Sequence, residues 1–149
     1  MFVPFILGSK IDEPHAAKIT AILDQFEIPY KIYVASAHKV PEKVLEVIKE
    51  YDAKDGPICY ITIAGRSNAL SGFVSANSIY PVIACPPFSD KADMMVNIHS
   101  TLQMPSETPA LTVIDPKNAA QAAIRILAAD NAELRQKVHA HLAAVKNSF

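Results

Sequence analysis

Short apolar runs alternate with amphipathic stretches along the chain, and the spacing of the apolar positions predicts the elements. Phe2 to Leu7 reads as a strand ended by Gly8-Ser9. A helix follows, with Asp12 near its start, Pro14 in its first turn, and Ile19, Ile22, Leu23 and Phe26 on one face. Ile28-Pro29 breaks it, and Tyr30 to Ala35 reads as a second strand. Pro41 opens a helix whose apolar face is Val44, Leu45, Ile48 and Tyr51. After the Asp55-Gly56-Pro57 turn, Ile58 to Ala64 is almost continuously apolar, as a strand covered on both faces must be.

Ser67 or Asn68 is placed to cap the next helix, which carries Leu70, Phe73 and Val74. Val82 to Cys85 is a short strand ended by Pro86-Pro87, and a less regular helical stretch runs to Met104-Pro105. Ala110 to Ile114 is a fifth strand, and Asp115-Pro116 starts a helix over Asn118 to Leu127. The last helix, Asn131 to Lys146, has a narrow stripe of Leu134, Val138, Leu142 and Val145. That stripe is too thin to face a core on two sides and is expected to pack on a neighbouring subunit. Strict alternation of strand and helix predicts an α/β, doubly wound, three-layer αβα sandwich around a parallel sheet. No linker or repeat interrupts it, so residues 1–149 are expected to form one domain.

Composition narrows the class of partner. Half of the 149 residues are apolar, 19% are charged, and the net charge is −1. Such a balance lacks the basic excess of a nucleic-acid surface. No apolar run approaches the roughly 20 residues of a membrane span. The N-terminal MFVPFILGSK has neither the basic lead-in nor the cleavage site of a signal peptide. Cys59 and Cys85 lie in separate apolar runs and read as small buried hydrophobes in a reduced, cytoplasmic compartment. Neither pairs with a histidine at zinc-ligand spacing, so no metal is expected.

In doubly wound sheets ligands bind beyond the carboxyl ends of the strands, and here three of those ends carry polar motifs. The first strand delivers Gly8, Ser9 and Asp12 to a helix N-terminus, where free N–H groups favour an anion. Asp12 would repel phosphate but suits paired ribose hydroxyls; the same residues also make an ordinary capped turn. The second delivers Ser36, Ala37, His38 and Lys39. Imidazole titrates near neutrality, so His38 is a candidate proton carrier beside an anion-holding pair. The third delivers Gly65, Arg66, Ser67 and Asn68, a turn whose N–H groups suit a carboxylate or CO2, or a plain helix cap. His15, His99, His139 and His141 lack such company and are assigned to surface or packing.

Taken together these motifs resemble one family. GS…D at Gly8, Ser9 and Asp12 is followed by IPY (Ile28–Tyr30), SAHK (Ser36–Lys39), AGRSNALSG (Ala64–Gly72), YPVIACPP (Tyr80–Pro87) and LQMPS (Leu102–Ser106). In this order, from about Phe5 to Leu127, the chain resembles the aminoimidazole ribonucleotide (AIR) carboxylase and mutase family of purine biosynthesis. The resemblance implies a flavodoxin-like fold, no metal, biotin or ATP, and a homo-octamer with sites near subunit boundaries. Class I members rearrange the N5-carboxylated nucleotide and carry a second histidine. Here Arg66, Ser67 and Asn68 stand in its region, which implies class II and direct reaction of AIR with CO2.

The family pattern further implies that Ser9, Ser36 and Lys39 hold the 5′-phosphate, Asp12 the ribose hydroxyls, and His38 the shuttled proton. Gly65, Arg66 and Ser67 would shape the place for CO2. The sequence departs from the pattern in three places. Ile11 stands where many members have a second serine, Asn97 and His99 occupy the region of a usual Gly-x-Asp, and Glu107 replaces a common glycine. The rival readings are N5-carboxy-AIR mutase activity, and a flavodoxin-like nucleotide-binding module without chemistry.

Overall fold

The computed structural model describes all of residues 1–149. Five strands, β1 (Val3–Leu7), β2 (Tyr30–Val34), β3 (Tyr60–Ile63), β4 (Val82–Ala84) and β5 (Ala110–Thr112), form one sheet in the order β2-β1-β3-β4-β5. Every neighbouring pair is parallel. Seven helices connect or flank them: α1 (Glu13–Gln25), α2 (Pro41–Asp52), α3 (Leu70–Asn77), α4 (Lys91–Asn97), α5 (His99–Leu102), α6 (Pro116–Ala128) and α7 (Ala132–Lys146). A single 3-10 turn, Lys10–Asp12, leads into α1. This is the expected doubly wound architecture, with the strand order reversing between β1 and β3, where such sheets place their ligands.

Two apolar layers follow from the period-two alternation of the strands. Val3, Phe5 and Leu7 of β1, with Ile61, Ile63 and Ile83, face α1, α6 and the start of α7. Ile6, Tyr60 and Val82 face the other way, against Val44, Val47, Ile48 and Tyr51 of α2 and Leu70 and Val74 of α3. The Tyr60 hydroxyl is not left unpaired: it donates to Asp52 Oδ1 at 2.8 Å, and Ser78 Oγ donates to the same oxygen at 2.8 Å. The carboxyl end of α2 is thereby tied to the turn before β4.

Several elements differ from the sequence reading. The ladder of β3 is shorter than Ile58 to Ala64, because Ile58 meets Phe2 only as an isolated bridge and Ala64 already turns away toward the site. The irregular stretch before Pro105 resolves into α4 and α5, and α4 buries none of its residues. Part of the α7 stripe packs within its own chain. Leu134 and Val138 are buried, with Leu142 packed beside them in the core of the same chain, and only the last stripe position, Val145, stands 43% exposed. Within the chain, the main neighbour of α7 is α6.

Glu107, where the family resemblance implies a glycine, adopts the left-handed region with φ 63°. That conformation costs a side-chain-bearing residue roughly 1–2 kcal/mol. Glycine removes this strain but loses about 0.5–1 kcal/mol more backbone entropy on folding. Glu107→Gly is therefore expected to stabilise the fold by about 1 kcal/mol or less, read as a raised urea midpoint at unchanged slope. A clear fall in midpoint would show that the glutamate side chain contributes more than its backbone costs.

Candidate active site

The register of the sheet brings the three polar strand ends together. Leu7 lies opposite Val34 on one side and Ile63 on the other, so β1, β2 and β3 stop at the same level. The Ala35 N–H donates to the Leu7 carbonyl at 2.9 Å, and the Gly8 N–H to the Ile63 carbonyl at 2.9 Å, which extends the alignment one residue into each loop. Glycine suits position 8, because a Cβ there would sit a tight 3.3 Å from the Cβ of Ala64. Beyond these ends lies a cleft of about 480 Å³. Gly8, Ser9, Asp12, Ser36, His38, Lys39, Gly65, Arg66 and Ser67 all line it.

The first loop is preorganised by a reciprocal cap. The Ser9 N–H donates to Asp12 Oδ2 at 3.0 Å, and Ser9 Oγ accepts the Ile11 N–H at 3.4 Å. The Ser9 hydroxyl accepts this bond and donates to no protein group, and Ser9 lines the cleft. Asp12 is only 7% exposed, and burial pushes its carboxyl above the usual carboxylate range, with the Ser9 N–H opposing the shift. Ile11 also lines the cleft but is 83% exposed.

The second loop is a single tight turn. The Ser36 carbonyl accepts the N–H groups of Lys39 at 3.2 Å and Val40 at 2.9 Å, and Pro41 then starts α2. His38 and Lys39 occupy the crest of this turn and are exposed at the mouth of the cleft. Both side chains are free to close on a group bound in the cleft.

The third loop carries backbone strain. Ser67 is left-handed, with φ 52°, a conformation that persists in non-glycine residues where the surroundings enforce it. The N–H groups of Gly65, Arg66 and Ser67 donate to no protein acceptor. Successive free N–H groups around a left-handed residue form a concavity suited to an anion. Gly65 is also held close to the opposite wall, since a Cβ there would lie 3.3 Å from the Pro87 carbonyl oxygen.

Asn68 alone among the expected site residues does not line the cleft. It is 4% exposed and points beneath the loop, where its Oδ1 accepts the Ser71 N–H at 3.1 Å. It therefore caps α3, one of its two anticipated alternatives. Asp93, on the rim opposite, was not signalled by the sequence because α4 has no clear periodicity. It accepts from the Ser89 N–H at 2.9 Å and from Asn97 Nδ2 at 2.6 Å, bonds that hold its carboxyl below the usual range, with the Arg66 charge acting in the same direction. The other candidate groups lie elsewhere. His15 contacts the buried Cys85 Sγ at 3.4 Å, and His141 packs its edge on Phe26. Burial pushes the Cys59 and Cys85 thiols up to about 12.

Comparison with known proteins agrees with this geometry. A sequence model described as AIR carboxylase matches residues 2–148. The chain is 48% identical over 133 residues to a phosphoribosylaminoimidazole carboxylase of Archaeoglobus fulgidus, covering 89% of this chain and 72% of that one. It is 46% identical over 140 residues to a phosphoribosylaminoimidazole carboxylase of Treponema denticola, covering 94% and 87%. The crystal structure of Treponema denticola PurE superposes with a TM-score of 0.92 at 44% identity, covering 99% of this chain and 92% of that one. With a family match over nearly its whole length and the same fold at this identity, the chain belongs to the AIR carboxylase family.

Proposed function

We propose that this chain is a phosphoribosylaminoimidazole carboxylase that joins AIR and CO2 reversibly, forming 4-carboxy-AIR in purine biosynthesis. The observation that carries this reading is the meeting of His38, the Ser9–Ser36–Lys39 polar end and the Gly65–Ser67 turn around one cleft. Relatives named phosphoribosylaminoimidazole carboxylase at 46–48% identity support the same reaction.

In this reading Lys39, Ser9 and Ser36 hold the 5′-phosphate, and the Asp12 carboxylate accepts from the ribose hydroxyls. The aminoimidazole ring is enamine-like, so its C4 is nucleophilic without covalent activation. C4 attacks the carbon of CO2, one C–O π pair moves to oxygen, and the new carboxylate lies against the N–H groups of Gly65, Arg66 and Ser67. His38 takes the proton from the now tetrahedral C4, restoring the aromatic ring, and returns it in the reverse decarboxylation. Holding both reactants contributes up to about 7–11 kcal/mol. A fixed N–H donor at the developing carboxylate adds on the order of 3 kcal/mol. No step calls for a metal or organic cofactor.

The chain is proposed to work as a homo-oligomer in the cytoplasm, an octamer by family resemblance. In support, Met95 and Val96 of α4 and Leu102 of α5 are 65%, 73% and 58% exposed beside the cleft, an apolar surface that a second copy would cover. No helix is long and apolar enough to cross a membrane.

Incubation of the purified protein with AIR and bicarbonate, without ATP, is expected to yield the carboxylated imidazole by absorbance, at a rate set by dissolved CO2. Turnover only of N5-carboxy-AIR would instead establish the mutase. His38→Asn is expected to bind nucleotide normally and lose about a hundred- to ten-thousandfold in kcat. A near-normal rate in that variant removes His38 from the proton transfer.

Lys39→Ala should weaken nucleotide binding about ten- to a hundredfold in calorimetry. Unchanged affinity would mean that the phosphate lies elsewhere. Asp12 supplies a pH test. Only its ionised form accepts from both hydroxyls, so affinity is full above its raised pKa and falls as pH drops through it. Asp12→Asn should bind more weakly at neutral pH and lack that acidic limb. Parallel pH curves for the two proteins would exclude Asp12 from the ribose.

A further inference from the structure

Beneath the Gly65–Ser67 turn runs a buried polar chain that crosses from the sheet to the α4–α5 segment. Thr62 Oγ1, on the central strand β3, donates to the Ile83 carbonyl at 3.3 Å and pairs with Ser71 Oγ at 2.8 Å. Ser71 Oγ accepts from Asn68 Nδ2 at 2.7 Å, and the same amide nitrogen donates to Thr101 Oγ1 at 3.1 Å. One residue away, the Asn68 backbone N–H donates to Ser100 Oγ at 2.9 Å, and Ser100 Oγ donates to the Asn97 carbonyl at 3.0 Å. Thr62, Ser71, Asn68 and Thr101 are all buried. The hydroxyls of α5 thus grip Asn68 twice, through its main chain and its side chain, immediately after the strained Ser67.

We infer that Ser100 and Thr101 are positioning residues for the CO2 step, acting through Asn68 to hold the Gly65–Ser67 turn in its anion-binding shape. The inference deepens the carboxylase reading and rests on it for the identity of the bound group. Three features single out these hydroxyls. Ser67 keeps a costly left-handed φ, so something beside it must oppose relaxation. The turn's own N–H groups make no internal bond that would fix it. The grip comes from a segment that also contributes Asp93 to the cleft rim, so α4–α5 and the turn are bonded into one wall of the cleft. The nucleotide-holding loops after β1 and β2 take no part in this chain of bonds. Its disruption should therefore change CO2 use and leave nucleotide affinity intact.

The test uses the full-length protein and three variants, Thr101→Val, Thr101→Ser and Ser100→Ala. Valine keeps the shape of threonine but leaves a buried Asn68 N–H without its acceptor, a loss expected to loosen the turn about tenfold. Hydrogen exchange of the Asn68 and Ser71 amides in Thr101→Val and Ser100→Ala should accelerate about tenfold, while the Ile61 and Ile63 amides of β3 keep their wild-type rates. Uniform acceleration, or none, overturns the clamp, and this readout holds whether or not the wild type carboxylates AIR. In steady-state assays of the same proteins, kcat/KM for CO2 should fall about tenfold with AIR affinity within about twofold of wild type. Thr101→Ser, which restores the acceptor, should recover both readouts. Equal losses for CO2 and AIR, or faster exchange without a CO2 defect, overturn the positioning role. A wild-type protein inactive on AIR and CO2 would instead remove the carboxylase reading, and with it the CO2 assignment, while exchange still judges the clamp.

Discussion

The parallel register of β1 between β2 and β3 is the constraint on which the site depends. Leu7 is paired with Val34 and Ile63 at once, so the chain leaves all three strands at one height. A slip of one residue in either ladder would turn Phe5 and Leu7 toward the opposite layer and carry one loop out of the cleft. The cores on the two faces resist that slip, since Phe5 and Leu7 belong to one and Ile6 to the other. Geometry among residues far apart in sequence is therefore maintained by apolar packing, which reaches the cleft through Ala37, Ala64 and Leu70.

Within that frame the three loops are held by different means. The Ser9–Asp12 cap is local and closes over four residues, so it forms as soon as the turn does. The Ser36–Val40 turn is equally local and leaves His38 and Lys39 unrestrained at its crest. The Gly65–Ser67 turn has a strained residue and unpaired N–H groups, and its support comes from residues more than thirty positions away. An anion-binding turn cannot satisfy its own donors and remain able to bind, so its rigidity must be supplied from beneath.

This difference explains what could be read from the sequence. Element order and sheet type follow from apolar periodicity, and the motifs at Gly8, Ser36 and Ala64 fall at strand ends that any parallel sheet aligns. Asn68 could be named as part of the third motif, but its burial could not. Whether an Asn after a turn faces ligand or core is decided by Ser71, Thr62 and Thr101, and only one of these is near it in sequence. Asp93 was illegible for a related reason: α4 buries none of its residues, so no apolar stripe marked which of its side chains faced the cleft. The stripe of α7 was visible, and within the chain its Leu134 and Val138 join the core, but a narrow stripe does not name every surface the helix meets.

The distribution of exposure within the cleft suits the division of labour that the proposed reaction requires. A proton carrier must lie within reach of the reacting atom, and His38 stands at the mouth of the cleft. A carboxylate that must discriminate ribose hydroxyls from water works best when partly desolvated and fixed, and Asp12 is buried and bonded to Ser9. Donors for a transient carboxylate must be in place before charge develops, since reorganising them during the reaction would forfeit their advantage. The strain at Ser67 is then what a turn of this shape costs, borne continuously by the buried amide beneath it.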